Sequence, residues 1–172
     1  MGDNKAYYDY NFSTSTSGPA FQAAAPQNNS PNNRGTRALP AAQPAFIWYP
    51  YDTSVEFPML GDGGRTAMAG PVYYGASPVP RAVSSENRGA FPPYYHGKLF
   101  IYEWMRHFIK VVSMDDNGSY RYMESFLPGT TLARPIDMIF APDGSMYLLE
   151  YGTAWNARNE DARLVHIEFI RQ

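Results

Sequence analysis

Three histidines are the side chains of this chain best suited to acid–base chemistry, since imidazole titrates near neutral pH. His96 lies at a glycine turn and His166 alternates within an apolar stretch, so we expect both to be structural or exposed to solvent. His107 follows Arg106 in a segment between two predicted strands, and such loops often carry binding residues. His107 is therefore the histidine that the sequence favours for a functional role.

Two arginines, Arg106 and Arg134, have the planar guanidinium that can bind a carboxylate through two parallel hydrogen bonds. Such side chains would suit a carboxylated cofactor or an acidic sugar. The alternative is that Arg134 forms an ion pair with Asp137 or Glu150 and stabilises the fold. The sequence leaves both interpretations open.

The acidic residues favour structural roles. Glu103 and Glu150 end two similar apolar segments, and this equivalence suggests that they do the same structural work. Asp115-Asp116-Asn117-Gly118 resembles the start of a calcium loop but lacks the later glutamate, so we predict a hairpin turn. The sequence shows no Ser-His-Asp arrangement, phosphate-binding glycine loop or His-rich metal pattern. The three tryptophans could stack on sugar rings, although a place in the core is the simpler interpretation.

A strong turn signal lies between two apolar runs near the C-terminus. Met138–Phe140 and Met146–Leu149 flank Ala-Pro-Asp-Gly. Gly144 accepts the positive φ that a tight turn requires. Pro142, with its fixed φ, suits the entry to that turn. The pattern predicts a β-hairpin.

This hairpin belongs to an internal repeat. His-Gly-Lys-Leu-Phe-Ile-Tyr-Glu-Trp at residues 96–104 matches Asp-Gly-Ser-Met-Tyr-Leu-Leu-Glu-Tyr at residues 143–151, 47 residues later. A period of this length is typical of β-propeller blades, which are small sheets arranged round an axis. We therefore expect Leu99–Glu103 and Met146–Glu150 to be equivalent strands of adjacent sheets. Two unrelated hairpins of a β-sandwich are the alternative.

Composition bounds the class of protein. The 172 residues include 14 tyrosines and 10 phenylalanines, which suits sheets with packed faces. A net charge of −2 gives no electrostatic case for binding nucleic acid or an anionic membrane. No apolar run approaches the roughly 20 residues of a membrane helix, and no signal peptide is visible. With no cysteine, disulfides and thiolate metal sites are excluded.

The chain divides into an arm and a β-rich region. Residues 1–44 are rich in Asn, Pro, Gly, Ser and Ala, so we predict a long irregular arm with no strand before residue 45. Five aromatic residues before Gln22 suggest that the arm packs on a surface. Residues 45–172 are predicted to be all-β, a partial β-propeller of about two four-stranded blades, of which the second supplies only three strands. The predicted strands are Ala45–Tyr49, Ala67–Tyr74, Lys98–Trp104, Phe108–Met114, Tyr120–Phe126, Ile136–Phe140, Ser145–Tyr151 and Leu164–Phe169.

The second repeat also resembles a known family. Arg134, Asp137 and the following Ala-Pro-Asp-Gly-Ser-Met-Tyr are similar to the Arg-x-Arg-Asp-Val and Pro-Asp-Gly-x-Leu-Tyr motifs of soluble glucose/sorbosone dehydrogenases. Gly97–Ile101 resembles the preceding strand of that family. The resemblance covers most of the chain but only about the last third of a complete propeller, and it implies that further blades precede Gly2.

The resemblance implies a cofactor and residues that bind it. The family uses pyrroloquinoline quinone (PQQ) and calcium to oxidise sugars, and Arg134, Arg106 and Asp137 are the residues that would bind the quinone here. Ile136 stands where the family has its second clamp arginine, and Met105 falls near its clamp lysine. The general-base histidine and the calcium positions of the family belong to earlier blades.

Two functions follow as hypotheses. The chain is the C-terminal portion of a sugar-oxidising propeller, inactive without its other blades, or it is a non-catalytic carbohydrate-binding or scaffold module of a large secreted protein. The resemblance implies a periplasmic or secreted location. The expected partners are the missing blades or further copies of the chain, and a sugar ligand. An isolated pair of blades should not be a stable monomer, since it leaves apolar faces and open strand edges in water.

Overall fold

The computed structural model describes residues 7–75 and 89–170, and it confirms the all-β class. Nine strands and two single-turn 3-10 helices, Pro58–Leu60 and Pro93–Tyr95, form in these residues, and no α-helix does. No helix in this part of the chain is long and apolar enough to cross a bilayer. The chain divides into two compact units, Met1–Pro50 and Tyr51–Gln172.

The N-terminal unit contains a β-hairpin, so the prediction of no strand before residue 45 is wrong. Strands β1 (Tyr8–Asn11) and β2 (Thr16–Ala20) pair antiparallel. The side-chain oxygen of Asn11 accepts hydrogen bonds from the backbone N–H groups of Ser13 and Thr14, at 2.9 and 3.3 Å. An asparagine side chain of this kind builds a turn that composition alone does not reveal.

The predicted strand Ala45–Tyr49 does not form. Proline precedes and follows it, and each proline lacks the N–H that a ladder needs. Aromatic and β-branched residues favour a strand only where a partner strand supplies hydrogen bonds. Local composition alone therefore does not suffice to predict a strand at these residues.

The C-terminal unit begins with a four-stranded antiparallel sheet. Its strands are β3 (Ala67–Val72), β4 (Leu99–Glu103), β5 (Phe108–Met114) and β6 (Tyr120–Phe126), in that spatial order. The register of β3 shifts between Ala69 and Val72, where glycine and proline interrupt the ladder. Asp115 caps the turn between β5 and β6 by accepting from the N–H groups of Asn117 and Ser119, which confirms the predicted hairpin.

A three-stranded antiparallel sheet follows. Its strands are β7 (Pro135–Phe140), β8 (Met146–Glu150) and β9 (Arg163–Ile167). Gly144 has φ 85°, and its N–H donates to the carbonyl of Ala141 at 2.9 Å. The predicted hairpin between β7 and β8 is confirmed.

The repeat is visible in the sheet order. β4 and β8 are the second strands of two different sheets, as predicted. The sheets pack on one core, where the Phe100 ring lies 5.1 Å from that of Phe140, and the Tyr102 hydroxyl donates to the Ile136 carbonyl at 3.3 Å. Two antiparallel sheets packed in this way, with no closed barrel, are consistent with a partial propeller.

The second sheet has one face in the core and one in solvent. Met138, Leu148 and Val165 point inward in one cross-strand row. The opposite face carries Ile139, Leu149 and Leu164, all exposed. Asp137 and His166 lie on the same face, so its apolar centre is flanked by polar side chains.

Candidate functional site

The candidate site lies where β4 and β8 end and β7 begins. In the first sheet the start of β3 pairs with the end of β4, through Ala67 and Glu103. In the second sheet the start of β7 pairs with the end of β8 in the same way, through Pro135 and Glu150, so the loops after β4 and β8 leave equivalent ends of the two sheets. Five side chains meet there, and together they form the loop-end cluster: Trp104, Met105, Arg134, Tyr151 and Trp155.

Arg134 is the cationic centre of the loop-end cluster. Its guanidinium carbon lies 4.3 Å from the centre of the Trp104 ring, a cation–π distance. Its Nε donates to the carbonyl of Thr153 at 3.1 Å, and Nη1 lies 3.9 Å from the sulfur of Met105. Among the described residues Arg134 has no ion pair, and Glu150 pairs with Arg163 instead. The guanidinium therefore keeps donors for an anion.

The aromatic rings give this cluster a stacking surface. Trp104 is 6% exposed, as expected of a core residue, and its ring lies edge-to-face with Tyr151 and Trp155 at 5.5 and 5.2 Å. Trp155 is 74% exposed. A large ring held against a buried one but left open to solvent can stack on a ligand.

The loop that carries Trp155 is ordered by its own polar side chains. Asn159 accepts from the N–H of Ala154 and donates to its carbonyl, at 2.9 and 3.0 Å, and Asp161 accepts from the N–H of Thr153. Gly152 has φ 101°, a left-handed conformation that glycine accepts. Thr153 is thus held from one side by Asp161 and presents its carbonyl to Arg134.

Two buried glutamates support the loops at this end. Glu103 accepts from the N–H of Thr66, and Glu150 accepts from the N–H of Ala133 at 2.8 Å; each amide lies just before the first strand of its sheet. Glu150 also accepts from Nε of Arg163 at 2.5 Å. Both side chains are inaccessible to solvent, so the predicted structural role of this pair is what the structure shows.

Arg106 lies at the same sheet end but makes contacts of another kind. Its Nε donates to the carbonyl of Gly64 at 2.8 Å, Nη1 donates to Leu60 and Gly61, and Nη2 donates to Gly63. The guanidinium fastens the 60–64 loop. A role for Arg106 in binding a cofactor stays a prediction, and a ligand carboxylate would have to displace these carbonyls.

His107 is exposed and follows Met105 of the loop-end cluster by two residues. Its Nδ1 lies 3.1 Å from the carbonyl of Leu132, and a carbonyl only accepts, so Nδ1 carries the proton. In the neutral side chain Nε2 is then an acceptor. His107 and Arg134 both have left-handed backbones, with φ of 53° and 58°. Such conformations in residues other than glycine concentrate at functional sites.

Asp137, the third predicted cofactor residue, lies on β7 beside the register shift between Pro135 and Asp137. Its carboxylate is exposed and accepts from the N–H of Met138 at 2.8 Å. Burial raises the pKa of the Tyr102 phenol, and the Asp137 carboxylate adds to that rise. The structure therefore places Asp137 on the strand and not in the loop-end cluster.

The structure brings together a Ser-His-Asp group that we did not find in the sequence. Ser145 Oγ donates to Asp143 at 2.7 Å and lies 2.9 Å from Nε2 of His166. Hydrogen bonds from the hydroxyl and N–H of Ser145 lower the pKa of Asp143. Ser145 is fully buried and its hydroxyl donates its hydrogen bond to the aspartate and not to the histidine, so it is not an activated nucleophile. These hydrogen bonds hold the β7–β8 turn in place. His166 reaches the turn because β9 pairs with β8, and local sequence does not reveal that pairing.

The fit of the implied cofactors can be judged from these contacts. The family clamp needs two arginines, and at this end of the sheets Arg134 has spare donors whereas Ile136 is aliphatic and Arg106 holds the 60–64 loop. Residues 7–75 and 89–170 contain no group of three His, Asp or Glu side chains that could hold a metal ion. The described residues by themselves therefore do not fit a quinone clamp.

Comparison with known proteins does not extend the resemblance. No family model, curated protein or solved structure matches this chain.

Proposed function

We propose that the C-terminal unit is a non-catalytic carbohydrate-binding module whose loop-end cluster binds an acidic saccharide. The observation that carries this proposal is the placement of Arg134 over Trp104, next to the exposed ring of Trp155. A guanidinium suits the carboxylate of a uronic acid, and an exposed indole suits the apolar face of the sugar ring. The cluster thus combines the two recognition elements that an acidic sugar needs.

The electrostatics of Arg134 favour an anionic ligand. Among the described residues the only oxygen that accepts from its guanidinium is the carbonyl of Thr153. A carbonyl is neutral, so the positive charge of Arg134 is not neutralised within this part of the chain. The partly buried position beside Trp104 strengthens its interaction with an incoming carboxylate relative to bulk water.

Removing the guanidinium tests the proposal. We expect Arg134→Ala to weaken the binding of tri-galacturonate by about tenfold or more, because a hydrogen bond to a charged group contributes roughly 1.5–3 kcal/mol. Calorimetric titration of the full chain measures it. Arg121→Ala is the matched control, since Arg121 is an exposed arginine on β6. Equal affinity in the wild type and Arg134→Ala, or no binding in either, would overturn the assignment.

The second proposal is that the chain is the C-terminal portion of a sugar-oxidising propeller. Its support is the family motif, with Arg134 at the first clamp position and a left-handed backbone there. A bound pyrroloquinoline quinone would supply the electrophile for oxidation. Titration of the full chain with this quinone, followed by its absorbance, separates the two proposals. Saturable quinone binding that Arg134→Ala abolishes would favour the oxidoreductase.

The outer face of the second sheet supports a proposal about partners. We propose that Ile139, Leu149 and Leu164 pack against another sheet, from further blades or a second copy. We expect the purified chain to self-associate, and we expect the double variant Leu149→Lys, Leu164→Lys to shift it toward monomer, because buried lysines oppose association. Multi-angle light scattering after size exclusion measures the mass. A monodisperse wild-type monomer would contradict this, and Val55→Lys, at a fully exposed site, is the control.

A further inference from the structure

The N-terminal unit contains an open cleft of about 970 Å³. One wall comes from the β1–β2 hairpin and the other from the segment between residues 21 and 39. Ligand clefts in proteins enclose about 300–1,000 Å³, so this one is large enough for several sugar rings. From its lining we infer that it binds a neutral oligosaccharide, a function separate from the loop-end cluster.

The aromatic side chains of the cleft are placed for contact with a ligand. Phe12 directly follows β1, and its ring meets that of Tyr10 edge-to-face at 4.9 Å. Phe12 is 86% exposed, and Phe21 is exposed too. These rings are not used to build a core. Their negative π faces attract the C–H groups that a pyranose ring presents on its apolar side.

Four of the side chains that line the cleft are amides: Asn11, Gln27, Asn28 and Asn29. The side-chain oxygens of Asn11, Asn28 and Asn29 accept hydrogen bonds from Ser13 and Thr14, from Ser30, and from Arg37 respectively. These contacts fix the orientation of the amides. Their NH₂ groups have no acceptor among the described residues, so each can donate to a sugar hydroxyl.

The charge of the lining selects a neutral ligand. Asp9 is its one charged residue, and it contains no lysine, arginine or histidine. The guanidinium of Arg37 lies outside the lining and donates to Asn29, so an anionic ligand would find no cation in the lining itself. Amide donors, one carboxylate acceptor and aromatic faces match the hydroxyls and C–H faces of a neutral sugar chain. A proline-rich peptide could also use the aromatic rings and could accept from the amides through its carbonyls, but its prolines have no N–H to donate to the carboxylate of Asp9, whereas sugar hydroxyls do.

The test is a titration of the full, 15N-labelled chain with cellohexaose and, separately, with maltohexaose. We expect at least one to give saturable shifts at residues of the cleft. Phe12→Ala and Tyr10→Ala should each weaken that binding by about five- to tenfold, the loss expected for one aromatic contact. Phe12 is almost fully exposed, so its replacement leaves the fold intact.

Tyr8→Ala is the matched control, because Tyr8 is an exposed aromatic residue of the same strand that does not line the cleft. We expect it to change the affinity by less than about twofold. Failure of both sugars to bind, shifts confined to the loop-end cluster, or equal losses in Phe12→Ala and Tyr8→Ala would each overturn the inference. So would a response to a proline-rich peptide with none to the sugars. These results are independent of tri-galacturonate binding, which reports on Arg134.

Discussion

Replacing Phe100 by alanine should lower the free energy of unfolding of the C-terminal unit by about 3–5 kcal/mol, the range for removing a buried aromatic ring. Phe100 has no solvent exposure, and its ring contacts Phe91, Tyr95, Phe126 and Phe140. Those contacts join the two sheets. The cavity left behind would therefore weaken the packing of both.

Urea denaturation followed by tryptophan fluorescence measures this loss. Phe169→Ala is the control, since Phe169 is partly exposed, and we expect a change below about 1.5 kcal/mol there. If Phe100→Ala lost no more than Phe169→Ala, the two sheets would not share the core described above.

The second large effect is expected at Glu150. Glu150→Gln should lower the free energy of unfolding by roughly 2–3 kcal/mol, because one charged acceptor of two hydrogen bonds is replaced by an amide whose NH₂ faces donors. The bonds at stake come from the N–H of Ala133 and from Arg163. Glu103→Gln should behave alike, since Glu103 accepts from Thr66 in the equivalent place.

Chemical denaturation of both variants checks this prediction. Glu160→Gln removes the same charge from an exposed position and should change the free energy of unfolding by less than about 0.5 kcal/mol. A loss at Glu150 as small as that at Glu160 would show that the buried carboxylate does not hold the loop before β7.

The parts of the fold that could be predicted are those with local signals. Gly144 and Gly118 mark their turns through the positive φ that glycine accepts, and the apolar runs beside them form strands as expected. The strand Ala45–Tyr49 failed because pairing needs a partner that composition does not name. The β1–β2 hairpin was missed because its turn depends on the Asn11 side chain.

The candidate site was only partly predictable, since its contacts join distant residues. The sequence indicated Arg134, but its contact with Thr153 spans 19 residues. Arg106 reaches carbonyls 42 to 46 residues earlier, and no local pattern predicts this. The cleft of the N-terminal unit was hidden in a segment whose composition predicted an irregular arm.

The paired glutamates Glu103 and Glu150 affect the entropic cost and the selectivity of ligand binding at the loop end. Ordering a free loop residue costs about 1–2 kcal/mol of conformational entropy. Here Thr66 and Ala133 are already held by buried carboxylates before any ligand arrives. The loop end is thus a preorganised, lock-and-key surface, and it would discriminate between ligands by shape with little penalty for ordering.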